Sequence, residues 1–494
     1  VPAREGAGVP SVAWGPVLAV TAAFGLVMLL FSGRYGFFGD ELYFIAAGRE
    51  LDWGYADQPP MLPLLALLMD NLFPGSVVGL RLPATLITTS GAIIAALLAR
   101  EFGGGRGAQV ATAGAYAFSG LALGRMLATS TVDPVLWAVV LLLVVRWVRR
   151  RDDNLLVWAG LATAAAMQTK FLIPVLWVVL GVSVLVMGPR ELLRRPKLWV
   201  GALLAVLITV PTLLWQAANG WPQLEMSKVV AGETELFGGA WMYLPGTVLV
   251  AGIGVGTAFF FYGLWRLFRS PELREYRFLG LTVIGVVAVF GLTGGRIYYA
   301  SGLYPVLFAV AAVEFQRRRT GKWLPWVAWP AFALSALMAV QMLPLKAESE
   351  LDYPNIGVKW QNFTEAGQFG WTELSDAVAK VYRDLPAEKQ RDTAIVSNSY
   401  WWASALAYYG PERGLPASYS PHRGFHYFGT PGENVKNVVY SGGDPGPLRS
   451  HFASCTQRGV VSSKLGLVDG SPVWSCEGFT GRWAEVWPRL RRMA

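Results

Sequence analysis

Charged side chains are what this sequence has least of. Only 15% of its 494 residues are Asp, Glu, Lys or Arg, while 53% are hydrophobic and 21 are Trp. That balance excludes an ordinary soluble globular domain, in which about 25% of residues are charged. Cysteine is nearly absent. Cys455 and Cys476 are the two, both near the carboxy terminus, which leaves either one disulfide between them or two free thiols. No self-similarity occurs at solenoid periods. Val1 to Pro10 carries neither an initiator Met nor a cleavage signal. The apolar run behind it is too long and too poorly flanked for a signal peptide, so it is expected to remain as a span.

What the sequence has in place of charge is long apolar runs. A span needs about 20 mostly apolar residues to cross about 30 Å of hydrocarbon. Such runs occur near 12–32, 77–99, 108–124, 134–148, 155–169, 171–187, 198–215, 246–265, 278–292, 303–315 and 324–343. The expectation is a polytopic α-helical membrane protein of about eleven transmembrane helices.

Lys and Arg gather in every second connection. They occur as Arg100 and Arg106; Arg146, Arg149, Arg150 and Arg151; Arg190, Arg194, Arg195 and Lys197; Arg266, Arg269, Arg274 and Arg277; and Arg317, Arg318, Arg319 and Lys322. Positive loops stay cytoplasmic, so the protein is expected in the cytoplasmic membrane with its amino terminus on the cytoplasmic side. An odd number of spans then places everything after Leu343 outside. The net charge of +9 is mostly this topology signal and does not imply nucleic-acid binding.

The domain division expected is a transmembrane domain over 1–343 and an extracytoplasmic α/β domain over 344–494, long enough to bury its own core. In the latter, Asp392 to Val396 reads as a buried strand followed by a helical Trp401 to Tyr409, with further strands at Asn437 to Tyr440 and Gly459 to Val461. In the first external loop, Glu41 to Leu51 reads as a short amphipathic helix. Met61 to Phe73, too short to cross, reads as a helix in the outer interface, with Pro59-Pro60 between them. The external stretch from Gln216 to Leu244, carrying Glu233 and Glu235, suits either a mobile lid or a plain connection.

Against this apolar background the few ionisable residues stand out. Asp40-Glu41 opens a series of acids directly behind the first span. Carboxylates at a bilayer rim are costly unless paired, wet or used, so they are either a site or a solvated, helix-capping loop. Asp133, ahead of Pro134, is either functional or an acid favoured by a helix N-terminus. Lys170 stands between two apolar runs, where snorkelling is the alternative reading. Arg81 and Arg296 occupy outer ends of spans. Carboxylates and isolated cations on one side of a membrane suit transfer from a lipid-linked sugar phosphate. The cations hold the phosphate and a carboxylate takes the acceptor's proton.

An ordered series of motifs makes this more specific. The run from Gly39 to Leu65, GDELYFIAAGRELDWGYADQPPMLPLL, resembles the first external loop of membrane-embedded glycosyltransferases of the C superfamily, those related to protein O-mannosyltransferases and to the aminoarabinose transferase of lipid A. GLRLPATL, ATSTVDPVLWAVV, MQTKFLIP and GRIYYASGLYPVLF resemble the same family in the same order, as do SNSYWWASALAYYG, GLPASYSPHRGFHYFG and GRWAEVWPRLR in the tail. The resemblance implies an inverting transferase that uses a polyprenyl-phosphate-linked sugar on the outer face of the membrane, with an envelope glycan, lipid or protein as acceptor.

By motif, Asp40 is implied as the catalytic carboxylate with Glu41 in support, and Asp133 as the second-loop acid. Lys170 and Arg296 are implied as donor-phosphate contacts, with Tyr298, Tyr299 and Arg81 in the same set. Glu233 and His422 are assigned to the acceptor or lid side. The tail departs from the family's Gly-His-Asn pattern, reading Pro421-His422-Arg423 instead, which leaves a role for His422 without motif support. His422 and His426 have the spacing of metal ligands, but a lone pair beside Pro421 and Gly424 is weak evidence, so no metal site is assigned and divalent-metal dependence stays open. The competing classes are a transporter or flippase for lipid-linked sugars and a non-catalytic binder of them. A transporter would place its charges near the bilayer midplane in repeated halves, which this sequence does not display.

Overall fold

The structure is a computed structural model that describes residues 9–234, 239–318 and 324–494. Glu235 of the expected lid, and Arg319 and Lys322 of the last basic cluster, lie outside the described residues. The chain forms two compact units. One comprises Val1–Ser32, Arg81–Leu214 and Val230–Leu343, the other Gly33–Leu80, Trp215–Val229 and Pro344–Ala494. Gly33–Leu80 and Trp215–Val229, which sequence reading placed in 1–343, thus join the unit that holds the carboxy-terminal region.

The first unit is helical. Among the described residues five helices are long and apolar enough to cross a membrane: Trp14–Ser32, Val77–Glu101, Thr129–Arg150, Pro196–Ala218 and Pro271–Leu292. A bent pair, Trp241–Val250 and Val255–Arg269, would make a sixth. Several of the expected runs form shorter apolar helices, among them Asn154–Met167 and Ile173–Met187. This is a multi-pass membrane protein, and among the described residues length and apolarity by themselves mark five or six of the expected spans. The run 246–265, read as one span, is broken by 104°. Gly252 and Gly254 carry φ of +100° and +82°, which continues no helix, and the Ser335 hydroxyl accepts the freed Val255 N–H at 2.8 Å.

The Tyr304–Arg317 helix is buried on every side from Tyr304 to Glu314 and forms the centre of this unit. Its one buried charge, Glu314, is paired with Arg266 at 2.6 Å and Arg317 at 3.0 Å, as a carboxylate so placed requires. The outer helices leave apolar side chains such as Leu30, Val178 and Leu203 exposed, the surface that hydrocarbon would cover.

The second unit is built on a five-stranded sheet of order β2-β1-β3-β5-β4. β1 (Thr393–Ser397) lies parallel to β2 (Ser418–Tyr419) and β3 (Asn437–Ser441), and β5 (Pro472–Phe479) runs antiparallel to β3 and to β4 (Phe452–Val460). β1 and β3 are buried along their whole length, as central strands of such a sheet are. The loop helices form at Gly39–Arg49 and Met61–Leu72. Met61–Leu72 exposes Leu64, Leu68 and Leu72, one stripe at i, i+4 and i+8, as an interfacial helix does. Gly39–Arg49 corrects the expectation of an amphipathic helix. All its residues from Glu41 to Gly48 are buried, because the Met61–Leu72 and Tyr400–Tyr409 helices both pack on it.

Cys455 and Cys476 face each other across β4 and β5 and are disulfide-bonded. The bridge closes a stretch of 21 residues, for which the chain-entropy estimate is about 3 kcal/mol. Replacing both with Ser is therefore expected to lower the urea midpoint of this unit, monitored by tryptophan fluorescence. An unchanged midpoint would mean the unfolded chain gains nothing from losing the link.

Candidate functional site

The sequence-predicted residues fall into two constellations, one in each unit. In the sheet-bearing unit the centre is the amino-terminal turn of the Gly39–Arg49 helix. Phe38, in extended conformation, is its N-cap, and Glu41 turns back so that its Oε2 accepts the Phe38 N–H at 2.9 Å. Glu41 is wholly buried and serves as the third-position acid of a cap. The structure thus gives Glu41 a capping task at the start of the helix that carries Asp40.

Asp40 points elsewhere. Its Oδ1 accepts the Tyr400 hydroxyl at 2.8 Å and the Trp401 indole N–H at 2.7 Å, both from the first turn of the Tyr400–Tyr409 helix. Among the described residues no hydrogen bond is made to Oδ2. Gly39 is what permits this approach, since a Cβ there would stand 2.3 Å from the Trp401 ring. The result is a carboxylate fixed through one oxygen with the other available, which is the geometry a positioned base needs.

Four residues that sequence reading did not assign complete this cluster. Tyr400 accepts from Arg423 Nη1 at 3.3 Å, and the Arg423 guanidinium lies 5.1 Å from the Tyr400 ring centre. Tyr43, buried against Tyr400 at a ring separation of 5.0 Å, donates to Asp57 Oδ1 at 2.8 Å. Burial pushes the Asp57 carboxyl up to about 6, against the Tyr43 hydrogen bond and the Arg423 charge, which pull it down. The available signal was in the motifs already quoted: the Asp57-Gln58-Pro59-Pro60 run and the Tyr400-Trp401 pair of the tail.

The Asp57 shift has a stability consequence. A carboxyl whose folded value lies above its ordinary 3.8 binds its proton more tightly when folded, so it contributes stability at low pH that is lost between about pH 4 and 6. Asp57→Asn keeps an acceptor for Tyr43 and never ionises. It is expected to raise the thermal midpoint of the solubilised protein at pH 7.5 and to converge with the parent at pH 4. Parallel midpoint curves across that range would rule out Asp57 as the titrating group.

His422 lies beside Tyr400, with ring centres 5.3 Å apart, and burial together with Arg423 and Arg492 lowers it to about 3. It is neutral at physiological pH. His426 stacks on Trp487 at 5.8 Å, and burial and Arg491 lower it to about 4. Among the described residues no three His, Cys, Asp or Glu side chains converge as a metal site would need.

The helical unit holds the second constellation. Lys170 occupies the break between the Asn154–Met167 and Ile173–Met187 helices. Its Nζ lies 4.3 Å from the Tyr299 ring centre, 5.2 Å from that of Tyr298 and 3.4 Å from Thr129 Oγ1. Asp133 is its ionisable neighbour. Asp133 lies beyond the first turn of the Thr129–Arg150 helix and is 5% exposed, so it is not an N-terminal capping acid. Lys170, Tyr298, Tyr299 and Asp133 are therefore brought together.

Arg296 stands just before the two tyrosines and is ion-paired with Glu233, the acid at the end of the Pro222–Glu233 helix. The two residues assigned to phosphate and lid thus hold each other. Arg81 lies apart from the Lys170 contacts just described. It is fully buried, and its Nη1 donates to the Ser32 carbonyl at 2.6 Å, satisfying the end of the Trp14–Ser32 helix. That bond is a structural task for the arginine.

Comparison with known proteins finds one sequence match and several fold matches. Residues 57–215 match the family described as dolichyl-phosphate-mannose-protein mannosyltransferase. The fold matches the crystal structure of ArnT from Cupriavidus metallidurans bound to undecaprenyl phosphate, with a TM-score of 0.58 and 18% sequence identity, covering 94% of this chain and 98% of that one. The same protein in the apo state matches with a TM-score of 0.56, 18% identity and the same coverage. No curated protein sequence matches the chain. The chain therefore resembles the membrane glycosyltransferases of the C superfamily in sequence over 57–215, and it shares the ArnT fold.

Proposed function

We propose that this protein is an inverting glycosyltransferase that moves a sugar from a polyprenyl-phosphate donor to an acceptor on the outer face of the cytoplasmic membrane. The observation that carries the reading is Asp40, held through Oδ1 by Tyr400 and Trp401 with Oδ2 available. In the proposed step, Asp40 takes the acceptor hydroxyl's proton. The acceptor oxygen forms its bond to the anomeric carbon while the bond from that carbon to the phosphate oxygen breaks, and its electron pair stays on the polyprenyl phosphate. A single displacement inverts the anomeric centre.

Lys170 is the phosphate contact in this reading, with Tyr298 and Tyr299 fixing the ammonium by cation–π attraction. Arg296 joins it when the phosphate displaces Glu233, which makes Glu233 a gate on the donor side. Support comes from the family match over 57–215 and from the ArnT-like fold. The basic clusters at alternate connections support an outward orientation of the carboxy-terminal region.

The test is transfer from a panel of radiolabelled polyprenyl-phosphate sugars in membranes containing the protein. Turnover of one donor with inversion at the anomeric carbon is the expected result, and it identifies the sugar as well. Tight donor binding or transbilayer movement without turnover of any donor would replace this reading with a binder or a flippase.

A further inference from the structure

The sheet-bearing unit contains a cleft of about 300 Å³ that the proposed chemistry leaves unused. It opens where the Gly39–Arg49 helix ends, and it is walled by the Arg49–Asp52 turn, Trp215, Tyr427 and Phe428. Trp215 and Tyr427 form an angled pair with ring centres 5.6 Å apart. Phe428 closes the inner end, lying edge-on to Tyr55 at 6.1 Å. Asp52 is fixed along the wall, since its Oδ2 accepts the Trp215 indole N–H at 2.6 Å and its Oδ1 the Trp53 N–H at 2.7 Å.

We infer that this cleft binds an uncharged sugar ring of the acceptor, so that the acceptor is an oligosaccharide or a glycan-bearing molecule. The inference rests on the glycosyltransferase reading. Aromatic faces bordered by fixed carboxylates match a saccharide, whose C–H face is apolar and whose hydroxyls donate hydrogen bonds around its edge. The charge pattern selects against anions. Glu50 and Asp52 are both carboxylates on the wall, and the cation beside them, Arg49, is already paired with Asp70 at 2.9 Å. A phosphate or uronate would enter against unbalanced negative charge.

Position assigns the cleft to the acceptor. Phe428 stacks on Tyr43 at 6.0 Å, Tyr43 meets Tyr400 at 5.0 Å, and Tyr400 holds Asp40. The nine residue steps along the helix from Asp40 to Arg49 put the cleft about 14 Å along the axis from the base. At that offset it holds a sugar other than the one whose hydroxyl reacts.

The experiment is equilibrium binding of radiolabelled neutral trisaccharides (mannotriose, maltotriose and arabinotriose) to the full solubilised chain, with trigalacturonate as the anionic probe. At least one neutral trisaccharide should bind and trigalacturonate should not. Trp215→Ala and Tyr427→Ala should each weaken that binding at least ~10-fold, and Trp215→Phe by less than ~3-fold, since an aromatic platform remains. Two alanine variants on separate elements, with circular dichroism on each, separate loss of the site from loss of fold. Absence of binding by every neutral trisaccharide, preference for trigalacturonate, or full affinity in both alanine variants would overturn the inference. Donor turnover by the unaltered chain is measured alongside. Turnover without saccharide binding removes this subsite and keeps the transferase reading, whereas saccharide binding without turnover keeps a sugar site and removes its role as acceptor.

Discussion

Asp40→Asn is expected to lower sugar transfer by about 10²- to 10⁴-fold, the usual contribution of a positioned general base. The substitution is informative because it alters little else. Asparagine retains Oδ1, so both hydrogen bonds that fix the side chain, from Tyr400 and Trp401, have an acceptor. Only the free oxygen changes, from one that can take a proton to an amide nitrogen that cannot. Donor affinity should stay within about twofold, because the phosphate contacts assigned above belong to other residues. An alanine at the same position would test less, since it would also strand the Tyr400 and Trp401 donors. The assay is initial rate and donor binding on the same membrane preparation. If Asp40→Asn turns over near the parent rate, the base lies elsewhere and Asp40 is only an anchor for the Tyr400–Tyr409 helix.

Much of the fold was legible because apolar runs specify helices with little help from context. The runs near 12–32, 77–99, 134–148 and 198–215 each form one long helix, since each is long, apolar and free of a positive-φ break. The run 246–265 misled because its glycines sit inside an apolar stretch, where composition stays high while the backbone turns. Buried β1 and β3 were visible as short apolar runs. β4 and β5 were less so: β4 is largely exposed, and β5 begins at a proline and carries Ser, Cys and Glu in succession through its middle.

The site was legible where a residue's presence is anomalous and obscure where a residue's partner decides its role. Asp40, Asp133 and Lys170 are charges that no apolar helix explains. Glu41 and Arg81 look equally anomalous in sequence, yet one caps a helix and the other satisfies a carbonyl, tasks that depend on chain segments packed against them. Tyr400, about 360 residues beyond Asp40, stood in a quoted tail motif, but nothing local in that motif says that its hydroxyl bonds Asp40 or that Arg423 bonds Tyr400 in turn.

Lys170→Ala is the second large effect expected, and its size should appear in both kinetic parameters. A polyprenyl-phosphate sugar carries one negative charge on its phosphodiester, and the departing polyprenyl phosphate gains another as the glycosidic bond breaks. A cation at that phosphate is therefore worth more in the transition state than in the ground state. A charge-assisted hydrogen bond lost from a buried site corresponds to about 1.5–3 kcal/mol, or roughly 10- to 150-fold. We expect kcat to fall by about that factor with a further rise in donor KM. Lys170→Arg should recover little, because the compact ammonium held between Tyr298 and Tyr299 differs in shape from a planar guanidinium. Arg296→Ala should do less than Lys170→Ala, since Arg296 must first give up Glu233 and part of its attraction for phosphate offsets that loss. By the same argument Glu233→Gln should lower donor KM by removing the carboxylate charge that competes with phosphate for Arg296. If Lys170→Ala raises KM with kcat unchanged, the lysine contributes uniform binding alone, and the leaving phosphate is stabilised by some other group.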